Sequence, residues 1–332
     1  MSAPTVLASR RASADLPLAV GPAISQMRGS EMGADMRIVL TVVVPDYDTL
    51  QNVLPQTLEA VAGAGSSIED TDILGDGAFD IFFDHDDPTI VRAKAESALE
   101  RESADVCVQL VEHRRKRLLI ADMDSTIVGC ECLDELADFS GVKREVAQIT
   151  ERAMRGELNF EDALRERVAM IAGLPLVDLQ RCYDERVKLN PGARTLVATM
   201  AANGARCVLV SGGFEFFTGR VAHAAGFHAN WGNRLIDDGE ALTGRVAEPI
   251  LGRDAKLATL RAEAAGFGVS MADTLAIGDG ANDVDMITAA GLGVAYRAKP
   301  VLAAQADAKL DHADLSALLY FQGYGADRFV TG

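Results

Sequence analysis

The sequence predicts an α/β protein with a Rossmann-like parallel-sheet core, a helical cap inserted after the first strand of that core, and a ferredoxin-like α+β domain in front of it. Two observations predict this fold class. In the second half of the chain, apolar strand-like segments alternate with helical segments, which is typical of a parallel sheet. The first regular segments follow the order βαββαβ, which is typical of a ferredoxin-like unit.

The ferredoxin-like domain is predicted over residues 37–113. Its first strand is rich in β-branched residues and ends at Pro45, and a "GDG" segment predicts a hairpin between its middle strands. The predicted elements are strand 37–45, helix 48–63, strands 70–75 and 78–83, helix 88–101 and strand 105–112. Residues 1–36 lack this regularity and are expected to form a disordered tail.

The catalytic core is predicted over residues 114–128 and 190–332, and the cap over residues 129–189. The cap segment has helical patterning and no convincing strand. Within residues 229–249, the turn sequence "DDGE" predicts a two-stranded excursion from the core. Ligands of parallel sheets bind beyond the carboxyl ends of the strands. An insertion directly after the first strand is therefore expected to form a lid over the site.

The composition excludes several classes of function. The chain has 332 residues and a formal net charge of -17, with 48% apolar and 24% charged residues. Such a chain can bury a sizeable core, but it lacks the basic surface that nucleic acid or an anionic membrane requires, so neither is an expected partner. No apolar run approaches the roughly 18 residues that span a bilayer. A small anionic substrate would need a local positive site.

Cysteine usage indicates a reducing compartment, and a cytoplasmic location is therefore expected. The number of cysteines is odd, and their spacing does not suggest a disulfide framework. Two of them flank Glu131, but no further soft ligand accompanies them, so they are expected to pack beside the site rather than to bind a metal. The five cysteines are Cys107, Cys130, Cys132, Cys182 and Cys207.

Polar side chains follow three of the predicted core strands. The strand "LLIA" ends in "DMDST", "RCVLV" ends in "SGG", and "TLAI" ends in "GDGANDVDM". Carboxylates crowded at one crevice repel each other, and a divalent cation such as Mg²⁺, which prefers carboxylates, waters and phosphate oxygens, would resolve that conflict. Glycines beside the polar residues leave backbone N–H groups free for phosphate oxygens. The residues brought together are Asp122, Asp124, Ser211, Asp279, Asn282 and Asp283, with Lys256 from a nearby helix start.

These segments resemble, in order, the four motifs of the haloacid dehalogenase-like phosphatases, and the resemblance covers about residues 116 to 320. The cap sequences "DMDSTIVGCECLDELADFSG" and "NFEDALRERVAMIAGLP" are similar to those of the phosphoserine phosphatases within that superfamily. The resemblance implies a Mg²⁺-dependent enzyme of serine biosynthesis. It implies hydrolysis of O-phospho-L-serine to L-serine and phosphate through an aspartyl-phosphate intermediate.

The resemblance also implies roles for the core residues. Asp122 is the expected nucleophile, and Asp124 is the expected general acid and then base. Asp122, the backbone carbonyl of Asp124 and Asp279 would hold the Mg²⁺, with Asp283 supporting the metal from nearby. The residues expected to hold the phosphoryl group or line its site are Ser211, Gly212, Lys256 and Asn282.

In the cap, the resemblance implies that Glu131 binds the substrate ammonium and Arg167 its carboxylate, while Met154 and Phe160 close the apolar side of the pocket. The charges fit, because phosphoserine carries a phosphate, an ammonium and a carboxylate. From the residues alone another interpretation stays open. Glu131 is then a surface residue, and Arg167 belongs to the charged face of "LRERV".

The first domain resembles the ACT-type regulatory domains, which implies dimerisation or amino-acid sensing. Its first turn, "VVPDYDT", lacks the glycine that commonly admits an amino acid, so a structural role or a homodimer through this domain is at least as strong an expectation as ligand binding. Three other functions stay open. They are a phosphotransferase of the same fold acting on an alcohol such as homoserine, a phosphatase for another small phosphate, and an amino-acid-sensing protein.

Overall fold

The computed structural model describes residues 37–154 and 157–331. The predicted tail, residues 1–36, lies outside the described residues. The first unit is built of β1 (Ile38–Val43), α1 (Tyr47–Gly63), β2 (Ser67–Gly75), β3 (Ala78–Asp84), α2 (Pro88–Ala98) and β4 (Asp105–Leu110). Its antiparallel sheet has the order β2-β3-β1-β4, which is the ferredoxin-like arrangement. All six residues of β1 are buried. Strands pair with it on both sides, its two helices cover one face, and the core covers the other.

The core is a six-stranded sheet in the order β12-β11-β10-β5-β6-β7, and every pairing in it is parallel. This confirms the predicted parallel-sheet core. Its strands are β5 (Leu118–Ala121), β6 (Arg206–Phe214), β7 (Ala229–Asn233), β10 (Thr274–Gly278), β11 (Leu292–Tyr296) and β12 (Ala308–Leu310). Its helices are α7 (Ala193–Ala202), α8 (Glu215–Ala225), α9 (Arg253–Phe267), α10 (Val284–Ala289), α11 (Pro300–Ala303) and α12 (Ala317–Phe321).

The central strands are buried on both faces, as parallel strands flanked by helices are expected to be. In β5, Leu118 and Ile120 pack into one apolar cluster, and Leu119 and Ala121 pack into another on the opposite face. The second cluster is continuous with apolar residues of the cap and of the ferredoxin-like unit. The sheet therefore serves as the common support for the other parts of the protein.

The cap leaves and re-enters the core through two adjacent segments. Val128 pairs with Leu189 in an antiparallel bridge, and the Asn190 side chain donates a 2.7 Å hydrogen bond to the Thr126 carbonyl oxygen. The described residues between 129 and 190 are mainly helical, as predicted. The helices are α3 (Cys132–Phe139), α4 (Lys143–Met154), α5 (Phe160–Met170) and α6 (Leu176–Arg186).

The excursion over residues 229–249 differs from the prediction. Its first segment is β7, which pairs in parallel with β6 and forms the edge strand of the core sheet. Only β8 (Leu235–Asp237) and β9 (Leu242–Val246) form a separate antiparallel hairpin. This hairpin is bound to the cap, since the Gly173 N–H donates to the Leu242 carbonyl at 2.7 Å and the Leu242 N–H to the Leu174 carbonyl at 2.9 Å.

Buried charges join the ferredoxin-like unit to the core. The Arg114 guanidinium forms a 2.6 Å ion pair with Asp80 and donates to the carbonyl oxygen of Phe321 at 2.9 Å. The Asp105 carboxylate accepts backbone N–H groups from residues 311–313. Both side chains are almost fully buried. Among the described residues, no helix is long and apolar enough to cross a bilayer.

Candidate active site

Three buried carboxylates converge where β5 and β10 end. Ala121 is in register with Ile277 of the neighbouring strand, so Asp122 and Asp279 follow directly on the same edge of the sheet. With Asp283, they offer oxygen atoms that lie within 4.8 Å of one another. All three side chains are buried. The sequence predicted this convergence from the strand ends.

Lys256 supplies the positive charge nearest to these carboxylates. It lies in the first turn of α9, and its Nζ is 2.7 Å from Asp122 Oδ1 and 2.6 Å from Asp283 Oδ1. Burial by itself lowers the pKa of Lys256, but the two carboxylates outweigh it and raise the pKa above its ordinary value. The lysine is therefore charged at neutral pH.

One lysine does not balance the cluster. Burial, together with the charges of Asp283 and Asp124, raises the pKa of Asp122 well above its ordinary value. Burial likewise raises the pKa of Asp279 to about 6. Clustered carboxylates with raised pKa values are the donor set that a hard divalent cation stabilises. These residues therefore fit a metal ion such as Mg²⁺.

The hydrogen bonds of Asp283 distinguish it from the other two carboxylates. Its Oδ1 receives Lys256, and its Oδ2 accepts the N–H groups of Asp279 and Gly280 at 3.2 and 3.1 Å. Gly278 is required for this packing, because a Cβ there would overlap the Asp283 carboxylate. Asp283 thus orients the loop that carries Asp279, and its support of a metal ion stays a prediction. Asn282 lies exposed in the same turn, with its side-chain oxygen beside Gly280.

Asp124, two residues after Asp122, accepts hydrogen bonds from two donors. Its Oδ1 accepts the Cys132 N–H at 2.9 Å, and its Oδ2 accepts the Ser211 hydroxyl at 3.2 Å. Burial and then the nearby Glu131 raise the pKa of Asp124 to about 6. Such a carboxyl group can both hold and release a proton near neutral pH. A Cβ on Gly213 would lie 2.8 Å from this carboxylate, so only glycine leaves it room.

Ser125 is a site residue that the sequence reasoning missed. It lies in the turn between β5 and the cap with a φ of 55°, a conformation that non-glycine residues adopt rarely. Its hydroxyl donates a 2.7 Å hydrogen bond to Glu131 Oε1. The turn thereby holds the exposed Glu131 carboxylate near Asp124. Because Ser125 belongs to the motif "DMDST", the sequence could have indicated that it lies near the site. Its contact with Glu131 depends on the conformation of the turn.

The cap places Phe160 over the core. A Cβ on Gly212 would meet the Phe160 ring at 3.1 Å, and one on Gly252 would meet it at 3.4 Å. The ring therefore rests on the two glycine segments that flank Ser211 and Lys256. Phe160 is still 39% exposed, which leaves part of the ring free for a ligand. The side chain of Met154 lies outside the described residues, and its predicted role stays a prediction.

Arg167 is half-buried on α5, next to the buried Val168 of the same helix. Its Nε donates to the Ala163 carbonyl of its own helix at 3.2 Å. Burial lowers the pKa of Arg167, and the charges of Asp134 and Glu131 oppose this shift. Within the described ranges, no carboxylate lies at ion-pair distance from its guanidinium. A guanidinium that is partly desolvated and has no ion-pair partner can bind an anionic ligand.

Asn233 is the second residue that the sequence reasoning missed. Its Nδ2 donates to the carbonyl oxygens of Gly212 at 2.8 Å and Leu251 at 3.1 Å, and its Oδ1 accepts the Leu251 N–H at 2.7 Å. The side chain is 2% exposed. It ties together the two segments on which Phe160 rests. The sequence provided no signal for this, since the partners lie 18 and 21 residues away.

Asn233→Ala is expected to loosen both segments. It removes three hydrogen bonds and leaves buried backbone groups unpaired, which costs about 1–3 kcal/mol of folding free energy. Substrate KM is expected to rise by more than kcat falls, because the binding segments move rather than the carboxylates. Urea unfolding and steady-state kinetics measure the two effects. Asn203→Ala, which removes one hydrogen bond at a helix end, is the control and is expected to change neither KM nor kcat. Unchanged stability in Asn233→Ala would contradict the assigned role.

The sequence pattern of the haloacid dehalogenase-like hydrolase family matches residues 119–288. The chain belongs to this family. The matched region begins in β5, which precedes Asp122, and ends in α10, just after Asp283, so the family pattern covers every carboxylate of the cluster. The carboxylate cluster, the parallel sheet and the inserted cap thus all lie in a haloacid dehalogenase-like hydrolase.

Individual relatives share more than the family pattern. The chain is 42% identical over 234 residues to a phosphoserine phosphatase of Archaeoglobus fulgidus, covering 70% of this chain and 68% of the relative. It is 45% identical over 225 residues to a phosphoserine phosphatase of Mycobacterium tuberculosis, covering 67% of this chain and 54% of the relative. The crystal structure of a probable phosphoserine phosphatase from Vibrio cholerae is similar over 94% of this chain and 96% of its own, with a TM-score of 0.71 and 28% identity.

Proposed function

We propose that this haloacid dehalogenase-like hydrolase cleaves O-phospho-L-serine to L-serine and inorganic phosphate. The observation that carries the proposal is the placement of opposite charges by the cap above a phosphoryl site. Glu131 lies close enough to the unpaired Arg167 for its charge to oppose the lowering of the Arg167 pKa by burial, and it helps to raise the pKa of Asp124 in the core. An ammonium and a carboxylate on one small phosphate ester match these two groups. The relatives named phosphoserine phosphatase support the same substrate.

Asp122 is proposed as the nucleophile. Its Oδ1 is occupied by the Lys256 ammonium and the Met123 N–H at 2.7 and 2.8 Å, so Oδ2 is the oxygen left for attack. In the first step, a bond forms between Asp122 Oδ2 and phosphorus while the bond from phosphorus to the serine oxygen breaks. Asp124 gives its proton to that serine oxygen. The product of this step is L-serine and an aspartyl-phosphate.

The second step releases phosphate. A water attacks phosphorus, Asp124 takes a proton from it, and the bond from phosphorus to Asp122 breaks. The Ser211 hydroxyl and the Gly212 N–H are proposed to hold the phosphoryl oxygens, with Lys256 balancing their charge. Asn282 lines the opening of the same site. A pKa near 6 suits Asp124 for both directions of proton transfer.

Mg²⁺ is the proposed cofactor. Asp122, Asp279 and the Asp124 backbone carbonyl would hold it, whereas Asp283 has both oxygens occupied and supports Asp279 instead. When bound, a magnesium ion supplies positive charge that stabilises the phosphoryl oxygens and the clustered carboxylates. The protein's own part is to hold these ligands at one edge of the sheet.

Mg²⁺ is expected to raise the melting temperature of the protein without any substrate. A ligand that binds only the folded state stabilises it by about 2.7 kcal/mol at a hundredfold excess over its dissociation constant. Differential scanning calorimetry with and without Mg²⁺ measures the shift, and KCl at equal ionic strength is the control for screening. Asp279→Asn is expected to lose most of the shift. An equal shift in Asp279→Asn would contradict the assigned ligands.

The function itself is tested by phosphate release from a panel of phosphorylated small molecules, with and without Mg²⁺. Phosphoserine is expected to be the preferred substrate, and a preference for another phosphate would overturn the proposal. Adding homoserine as an acceptor distinguishes hydrolysis from transfer. A new phosphate ester in place of free phosphate would identify a phosphotransferase, and no magnesium-dependent phosphate release from any substrate would favour an amino-acid-sensing protein.

The ferredoxin-like unit is proposed to be an ACT-like domain over residues 37–113 that forms a homodimer, beside a core at 114–128 and 190–332 and a cap at 129–189. Its exposed outer strand, β2, is available for pairing with a second copy. Sedimentation at several concentrations measures the association. A monomer at every concentration would contradict the dimer. The cytoplasmic location stays a prediction.

A further inference from the structure

A cavity separate from the catalytic crevice lies between the ferredoxin-like unit and the core. Its volume is about 290 Å³, at the lower end of the range for small-molecule sites. One wall comes from β4 and the segment that follows it, and the other from the segments just before β10, β11 and β12. These are the amino ends of the core strands, whereas the catalytic carboxylates follow the carboxyl ends. A molecule bound here would not overlap the substrate.

The cavity contains a buried cation. Lys116 is 4% exposed, and its Nζ donates to the carbonyl oxygens of Ala272 at 2.8 Å and Gly291 at 3.2 Å. Both of these residues also line the cavity. An ammonium has three N–H donors, so two are used. In the part of the chain that the structure describes, no carboxylate forms an ion pair with Lys116.

Burying the Lys116 ammonium costs free energy, because the charge loses its hydration. Burial lowers the pKa of Lys116 to about 8, and the neighbouring Cys107 and Asp307 oppose that shift only in part. A buried charge without an opposite charge in contact is unfavourable, and an anion placed against it would remove part of the penalty. The mechanism proposed for the catalytic site does not use Lys116.

A second polar group of the same wall is unsatisfied. Gln109 is 9% exposed, and its Nε2 donates to the Phe321 carbonyl oxygen at 2.6 Å. That bond fixes the direction of the amide, and no donor among the described residues reaches its Oε1. Native proteins leave few buried polar atoms unpaired. A carboxylate has no donor to offer this buried oxygen, so Gln109 marks a polar part of the wall and does not itself select the ligand.

The rest of the lining is mainly apolar. Leu110, Met271, Ala290 and Leu292 contribute to it, and the more exposed His113 lies at its edge with Nδ1 2.7 Å from Asp273 Oδ1. Two carboxylates complete the lining: Glu112 is exposed, and Asp307 is buried and accepts a backbone N–H at 2.9 Å. Among the described residues neither forms an ion pair with Lys116, so the chamber is complementary to an anion that carries a compact hydrocarbon group. It does not suit a phosphate ester of a polar alcohol such as the proposed substrate.

We infer that this cavity binds a small monocarboxylate with an apolar body. The carboxylate pairs with the Lys116 ammonium, and the hydrocarbon lies against the walls formed by Leu110, Met271 and Leu292. Because the site joins β4 to the amino ends of β10 and β11, a bound molecule links the ferredoxin-like unit to the core. The inference is independent of the proposed substrate.

The test compares two probes of equal shape. 4-Methylpentanoate carries the negative charge, and 5-methylhexan-2-one replaces the charged oxygen with a methyl group. Each is titrated into the full-length protein labelled with ¹³C at the methionine methyl groups, with the Met271 signal assigned by Met271→Leu. The acid is expected to shift the Met271 signal and to bind at least about tenfold more tightly than the ketone, because it gains a hydrogen-bonded charge pair.

Variants locate the binding. Lys116→Met is expected to remove the preference for the acid, Ala290→Phe is expected to fill the cavity and weaken both probes, and the exposed Lys143→Met is the control that changes neither. Arg167→Ala is expected to leave the Met271 shift intact, which separates this site from the catalytic crevice. If Lys116→Met does not fold, the relative affinity of the acid and the ketone for the wild-type protein still tests the inference. Equal affinity for acid and ketone, an unmoved Met271 signal, or loss of the shift in Arg167→Ala would each overturn the inference.

Discussion

Asp122→Asn is expected to lower turnover of phosphoserine by on the order of 10⁵-fold or more, the size of loss typical of removing a covalent nucleophile. The amide cannot form the aspartyl-phosphate. Its oxygen can still accept the Met123 N–H and the Lys256 ammonium that now reach Asp122 Oδ1. The site should therefore keep its shape while losing its chemistry.

The same variant is expected to fold with equal or greater stability. Burial and the charges of Asp283 and Asp124 raise the pKa of Asp122, so removing its charge relieves repulsion within the cluster. Single-turnover assays and urea unfolding measure the two properties on one preparation. The exposed cap variant Asp184→Asn is the control and should retain full turnover. Sustained activity in Asp122→Asn, with deamidation excluded by mass spectrometry, would remove Asp122 from the nucleophile's position.

Arg167→Ala is expected to reduce kcat/KM for phosphoserine by roughly 30-fold to several thousandfold. Losing one partner of a desolvated charge pair costs about 2–5 kcal/mol, and each 1.4 kcal/mol corresponds to about tenfold. O-Phosphoethanolamine has the phosphate and the ammonium but no carboxylate. The variant should therefore lose little activity on phosphoethanolamine, and its preference between the two substrates should largely disappear.

Arg165→Ala provides a matched control on the same helix. Arg165 is exposed and paired with Glu161, Asp162 and Glu248, and exposed pairs contribute about 0–1 kcal/mol. It should therefore change neither substrate's kinetics. An equal loss on phosphoserine and phosphoethanolamine in Arg167→Ala would mean that Arg167 supports the cap or the phosphoryl step. No loss on either would return Arg167 to the charged surface of α5.

The convergence of the carboxylates could be predicted because strand pattern and chemistry coincide in short segments. The motif that contains Asp122 follows an apolar strand, and so does the one that contains Asp279. Parallel strands bring their carboxyl ends to one edge whatever the rest of the fold does. The cap could be predicted for a similar reason, since a long helical stretch directly after the first strand has to lie over that edge.

Other features depended on residues far apart in the chain. The Lys256–Asp283 pair joins residues 27 positions apart, and Asn233 bonds across 18 and 21 positions. The predicted two-stranded excursion was partly wrong because β7 has a register with β6 that no local pattern reveals. The hairpin of β8 and β9 binds the cap through backbone hydrogen bonds. Such bonds do not depend on the identity of the side chains, so the sequence does not indicate them.

The sequence by itself determined the fold class, the carboxylate cluster and the family, because each depends on periodicity and on residues adjacent in short motifs. Only the tertiary structure decided which positive charge offsets the negative charges of the cluster. It placed Lys256 between Asp122 and Asp283, set Phe160 on Gly212, and left the Arg167 guanidinium without an ion-pair partner among the described residues. It also enclosed Lys116 in a cavity between the two units. The physical reason is that burial and charge pairing depend on which surfaces meet in space, and local sequence does not specify that.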